Sequence, residues 1–212
     1  MRRRYLEPAT LADIARILAH HQPALLDLPG HTRAAVALIL RAGTRGLEVL
    51  FIERAPRADD PWSGDLGFPG GKMEEVDSDS RQSAERETRE EIGLDLRDGR
   101  YLGRLSDIAG AHLPVQVSCF VYGVDDPPPL VLNEEVRDLF WVALADLRAP
   151  ARHVSAPVRF GGEILARRAI RLPQPGKPVL WGITYRLVMQ FLQLLGPGKP
   201  GPDKSDADPD SI

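Results

Sequence analysis

The 212-residue chain has a single cysteine, Cys119, which excludes an intramolecular disulfide and fits a reducing compartment. It also lacks an excess of either charge. Its 27 Lys and Arg stand against 30 Asp and Glu, a net of -3, which leaves no electrostatic footprint for nucleic acid or a membrane surface. No run is long and apolar enough to cross a bilayer. The start, Met1-Arg2-Arg3-Arg4, is basic, but Glu7, Asp13, Arg16 and the His20-His21 pair interrupt the residues after it, so it does not read as a secretory signal. The expectation is a cytoplasmic protein with neither a nucleic-acid nor a membrane partner. His20, His21, His31 and His153 show no metal-ligand spacing. The loop Gly-Phe-Pro-Gly-Gly-Lys at 67–72 is not a Walker A loop, because Leu66 stands where the first glycine belongs and Met73 where a hydroxyl is needed. No Gly-x-Gly-x-x-Gly follows a strand, so dinucleotide binding of that kind is unsupported.

Apolar residues make up 43% of the chain, enough to build a core. Residues 9–20 read as an amphipathic helix with Thr10 as N-cap and Leu11, Ile14 and Leu18 on one face. An irregular arm comes next. The β-branched runs 33–41 and 47–54 flank a hairpin turn. Residues 55–72, rich in Pro and Gly, read as loop. Residues 80–92 read as a helix stopped by Gly93. Strand candidates lie at 100–108, 114–124 and 136–144, the last passing into a short helix. A hairpin is expected around Gly161-Gly162 and a closing amphipathic helix over 182–196. From Gly196 the composition is almost pure Gly, Pro, Asp and Ser, a disordered tail. The expected division is an N-terminal helix and arm over 1–30, one domain over 31–195 and the tail over 196–212. The fold class is α/β (α+β), with helices covering a mixed central sheet.

The helix at 80–92 carries the most informative charges. Glu85 with Arg89 and Arg86 with Glu90 are ordinary pairs four residues apart. Glu87 and Glu91 are also four apart and find no basic residue at helical spacing, so Glu87, Glu90 and Glu91 converge with little cationic relief. A cation from elsewhere in the fold would relieve the repulsion. So would a divalent metal such as magnesium, which takes carboxylate oxygens and keeps waters and substrate phosphates in its other positions. Gly70 and Gly71, just upstream, read alone as a tight turn. Beside the acidic helix they offer a close backbone approach to the same ion.

These residues resemble the Nudix box, the signature of the Nudix hydrolases. Arg86, Glu87, Glu90, Glu91, Gly93 and Leu94 match its second half. Thr88 replaces a large apolar residue, and the interval from Gly71 to Arg86 is one residue longer than the common box. Counting back from Arg86, the first acidic position falls on Ser78, between Asp77 and Asp79. The lengthened box after Phe-Pro-Gly-Gly is similar to the coenzyme A diphosphatase branch. Upstream, Arg54-Ala55 and Gly64 agree with that branch. The Arg it places shortly before this glycine is absent, and Arg57 is the nearest substitute.

The resemblance implies a Nudix-like α/β/α sandwich. It implies magnesium- or manganese-dependent cleavage of the diphosphate in a small nucleoside diphosphate conjugate: coenzyme A, ADP-ribose or another nucleotide compound. A non-catalytic nucleotide-binding module is the alternative, disfavoured because the Glu cluster is retained. The implied metal ligands are Glu87, Glu90, Glu91 and the Gly71 carbonyl. Glu135, preferred over Glu134, is the implied general base. Arg86, counted with the catalytic group, orients a carboxylate. Arg54, Arg57, Phe68, Gly70 and His112 are the substrate-binding candidates, and a homodimer is admitted.

Overall fold

The computed structural model describes residues 10–57 and 62–196. The expected tail beyond Gly196 lies outside the described residues, as do Asp59, Asp60 and Pro61 of the upstream loop. The first elements follow the local pattern closely. Helix α1 (Leu11–Ala19) is capped by Thr10, whose side chain accepts from the Asp13 amide while the Asp13 carboxylate accepts in return. Strands β1 (Thr32–Gly43) and β2 (Gly46–Arg54) form the expected hairpin.

The segment expected to be all loop holds two short strands, β3 (Leu66–Gly67) and β4 (Gly70–Lys72). The reason lies in how β1 shares its edge. β2 pairs with β1 over Leu40–Gly43, and β4 pairs with it over Ala34–Val36. Gly70 makes that second pairing feasible. Its φ is 146°, and a Cβ there would lie 2.2 Å from the Ala35 carbonyl oxygen. Beyond β4 the chain leads towards helix α2 (Ser80–Ile92). That helix is capped by Asp79, whose side chain accepts from the Gln82 amide, and it ends at Gly93 in the left-handed conformation.

The rest completes one mixed sheet: β5 (Arg100–Arg104), β6 (Ile108–Ala109), β7 (Val115–Gly123) and β8 (Val136–Ala143). β7 runs parallel to β1 and antiparallel to β5 and β6, while β8 pairs with β2. β7 is buried along its whole length, as suits a central strand covered on both faces. After a short helix α3 (Leu144–Arg148), strands β9 (His153–Phe160) and β10 (Glu163–Ile170) form a separate two-stranded ribbon. Helix α4 (Gly182–Leu194) closes the chain.

Period-two alternation on β1 sorts the core into two layers. Ala35, Ala37 and Ile39 face Ala84 and Ile92 of α2. Leu38 and Leu40 face the other side, with Ile14 and Leu18 of α1 and Val188 and Phe191 of α4. The result is the expected α/β/α sandwich, and it places the acidic face of α2 directly under the turn between β3 and β4.

Candidate active site

The face of α2 turned to the sheet carries Ala84, Thr88, Glu91 and Ile92. Thr88 sits where the family motif has a larger apolar side chain. It is fully buried, and its hydroxyl donates to the Ala84 carbonyl at 2.7 Å, so the polar group is satisfied within the helix. Glu91 is the carboxyl in this buried row and only 2% exposed. Its Oε2 accepts from the Gly70 amide at 2.9 Å, and Arg54 of β2 stands 3.8 Å from Oε1. Burial pushes this carboxyl up to about 8, more than the Gly70 amide and Arg54 offset. Glu87, one turn earlier, is raised as well, chiefly by burial and against the pull of Arg86.

Arg86 reaches Glu87 and Asp77 as well as Glu90, and only the Glu90 pairing follows from helical spacing. Its Nε and Nη2 each donate to Asp77 at 3.0 Å, and Nη1 lies 3.0 Å from Glu87 and 2.9 Å from Glu90. Nη2 also donates to the Lys72 carbonyl at 3.2 Å. Asp77 is buried, and this guanidinium holds its carboxyl below the usual range. Asp77 therefore occupies the acidic position that counting back from Arg86 assigns to Ser78. It lies six residues after Gly71, and counting forward from that glycine finds it. Asp79 is the helix cap. Arg86 itself does not line the cavity, and of the polar groups it holds only Glu87 and the Lys72 carbonyl belong to residues that do.

A cavity of about 680 Å³ opens above these groups. Glu87, Glu91, Gly70, Gly71, Arg54, Arg57, Phe68, His112 and Glu135 all line it. Glu90 does not; its side chain is half-exposed and held by Arg86. Phe68 lines the cavity but is 3% exposed and stacked on Phe51 at 5.2 Å, so most of its surface belongs to the core. Tyr122 is away from the cavity, buried with its hydroxyl donating to Glu85 at 2.6 Å. Glu135 comes from the 125–135 loop. That loop docks across the end of α2 through amides of Val131 and Asn133, which donate to the Ile92 and Glu91 carbonyls at 3.1 and 3.0 Å. Arg57 grips the Glu135 carboxylate at 2.6 Å.

Among the described residues no three His, Cys, Asp or Glu side chains converge as a complete metal cage. The donor set nevertheless fits a hard divalent cation of the magnesium type, which needs only one or two carboxylates beside water and phosphate oxygens. Glu87 and Glu91 offer hard oxygens one helical turn apart, and burial penalises their charge when no cation is near. Gly71 leaves the space: a Cβ there would lie 2.5 Å from a Glu87 carboxylate oxygen.

The other side of the cavity comes from the C-terminal third, where the sequence shows no motif. The β9–β10 ribbon contributes Phe160, Arg167 and Arg168, and the start of α4 contributes Trp181 and Thr184. Trp181 donates from its indole to Asp65 at 2.9 Å and meets Phe160 edge-on at 6.0 Å. The Arg167-Arg168 pair in the middle of an otherwise largely apolar strand is the available signal. Nothing local says which cavity it faces.

A family model described as the NUDIX domain matches residues 30–160. The human mitochondrial coenzyme A diphosphatase NUDT8 is 32% identical over 168 residues, 78% of this chain and 70% of that protein. The uncharacterized protein C14C4.10c of Schizosaccharomyces pombe is 38% identical over 110 residues, 48% of this chain. The match takes in only 33% of that yeast protein's length. Among solved structures, the Nudix domain of Shewanella oneidensis NrtR complexed with ADP-ribose aligns at a TM-score of 0.50 and 18% identity. It covers 85% of this chain and 97% of that one, a likeness of fold. No helix among the described residues is long and apolar enough to cross a membrane.

Proposed function

The chain belongs to the Nudix family, and from that premise we propose that it hydrolyses the P–O–P bridge of a nucleoside diphosphate conjugate, with coenzyme A or an acyl derivative as substrate. The observation that carries this reading is the pair Glu87 and Glu91, one turn apart beneath Gly70 and Gly71 at the wall of a cavity large enough for such a molecule. The substrate class draws on the lengthened box and on the similarity to the human diphosphatase.

Glu87 and Glu91 would hold a magnesium or manganese ion, with the Gly71 carbonyl beside them. A divalent cation bound there supplies charge neutralisation at the phosphate oxygens and a more acidic water. The chain's own groups do the remaining work. The Gly70 amide fixes the orientation of Glu91, and Arg86 fixes Glu87 from the far side while anchoring the approach loop through Asp77. Glu90 acts through Arg86. Glu135 takes the proton of the attacking water, with Arg57 holding its carboxylate in the cavity. Arg54 faces the same space and meets a phosphate oxygen.

The test is a panel of coenzyme A, dephospho-coenzyme A, ADP-ribose and nucleotide sugars with magnesium or manganese, products resolved by mass. The expected result is cleavage of coenzyme A into a phosphopantetheine and an adenosine bisphosphate, abolished by chelation. Full turnover after exhaustive chelation would overturn the metal assignment. Cleavage of ADP-ribose alone would move the substrate to that compound.

A further inference from the structure

We propose that Arg167 on β10, with His112 beside it, binds a second phosphate of the substrate: a phosphomonoester carried on the nucleotide, remote from the bond that is cleaved. The proposal deepens the reading above, since it concerns the same cavity.

The cations of the cavity differ in what they already hold. Arg54 lies against Glu91, Arg57 grips Glu135, and Arg186 donates to the Ala109 carbonyl at 2.8 Å. Arg167 has no such engagement. Its contacts are the Ala166 carbonyl at 3.4 Å and His112 Nε2 at 3.5 Å, both at the limit of a hydrogen bond, and no carboxylate of the described residues pairs with it. A half-buried guanidinium is partly desolvated without a counter-charge, and an anion in the cavity would supply one. A planar guanidinium fork matches phosphate oxygens in pairs.

The surroundings suit a phosphorylated nucleoside. His112 adds a ring nitrogen next to the guanidinium and lies against Phe160 with ring centres 5.7 Å apart. Phe160 in turn meets Trp181. A run of aromatic surface therefore adjoins the cation, as a ligand pairing a phosphate with a flat base requires. Arg167 and Trp181 lie beyond the 30–160 stretch matched by the family model, whereas His112 and Phe160 lie within it. This wall also relocates the phosphate-reading role. Arg57 is the nearest substitute for the missing upstream arginine by sequence position, but its guanidinium is already held at 2.6 Å by Glu135.

Two measurements decide the proposal. The first is calorimetric binding of adenosine 3′,5′-bisphosphate against 5′-AMP, with magnesium present. The second is kcat/KM for coenzyme A against dephospho-coenzyme A. Both are made on the parent, Arg167→Ala, Arg167→Lys and Arg57→Ala. The parent should prefer the extra phosphate by about tenfold or more, the size of one charge-assisted contact. Arg167→Ala should bring both ratios close to one, Arg167→Lys should leave an intermediate preference, and Arg57→Ala should retain the binding preference. A parent without preference, or a preference that survives Arg167→Ala, overturns the proposal. So does a binding preference lost in Arg57→Ala alone. Should no diphosphate be cleaved while the binding ratio depends on Arg167, the phosphate site stands and the hydrolase reading falls. Cleavage of both substrates without preference has the opposite effect.

Discussion

The two walls of the cavity are built in contrasting ways. One is the acidic face of α2 with the glycine turn above it. Apart from Arg54 it comes from a single stretch of chain between Gly70 and Glu91. The other combines Phe160, Arg167 and Trp181 with His112, drawn from a ribbon, a helix start and a distant loop. The first wall buries carboxylate charge and needs a cation. The second presents a cation and needs an anion. The contrast suggests a division of labour. The carboxylates offered to a cation are local in sequence, where helical spacing enforces geometry, while Glu135, Arg54 and Arg57 reach the cavity from other elements. Recognition of the rest of the substrate is assembled from parts that vary independently.

The largest effect should come from the first wall. Glu91→Gln is expected to lower kcat on the order of 10²–10³-fold, since it removes a ligand charge worth a few kcal/mol at the transition state. It should not lower the melting temperature of the metal-free protein near neutral pH. Burial raises the Glu91 carboxyl from 4.5 to about 8, so the folded state keeps a proton that the unfolded chain releases. Metal-free stability should therefore fall as pH rises from about 5 to about 8, and the fall should be shallower in Glu91→Gln or with magnesium added. Melting curves across that range with a chelator check this. A parent-like turnover in the variant would remove Glu91 from the metal site.

Asp77→Asn should come next, acting on support rather than chemistry. It breaks a buried pair with Arg86, and losing one partner of such a pair costs about 3 kcal/mol. Denaturant midpoints measure it. Because Arg86 holds the Asp77 carboxyl below its usual range, the contribution is present above that range and lost as pH falls through the lowered value. The gap between parent and variant should therefore narrow in acid. Equal stability at neutral pH would show that Arg86 finds another partner at no cost.

The smallest effect should come from the second wall. Trp181→Phe removes the indole bond to Asp65 while keeping an aromatic face. A rise in KM of about three- to tenfold, with the change concentrated in KM rather than kcat, is expected from losing one such bond. An equal loss in kcat would mean that this wall also positions the reacting groups, and the division between the walls would fail.

Much of the frame is legible because it rests on near neighbours in the chain. The capping of α1 by Thr10, the span of α2 from Ser80 to its stop at Gly93, and the two faces of β1 all follow from spacing and local backbone preference. The convergence of Glu87 and Glu91 follows from the same helical period. β3 and β4 are not legible, because distant pairings with β2 and β1 turn parts of that Pro- and Gly-rich stretch into strands.

Periodicity states which residues share a face of one element, which is enough for the layers and the acidic helix; the family is legible from the motif that Arg86, Glu87, Glu90, Glu91 and Gly93 resemble. Periodicity does not state what lies across a gap. That Asp77 rather than a neighbour meets Arg86, that Glu90 turns away from the cavity and that Arg167 faces it are visible only once the chain is folded. Those outcomes depend on distances between side chains that no local period relates, set by how the layers pack and where the loops come to rest.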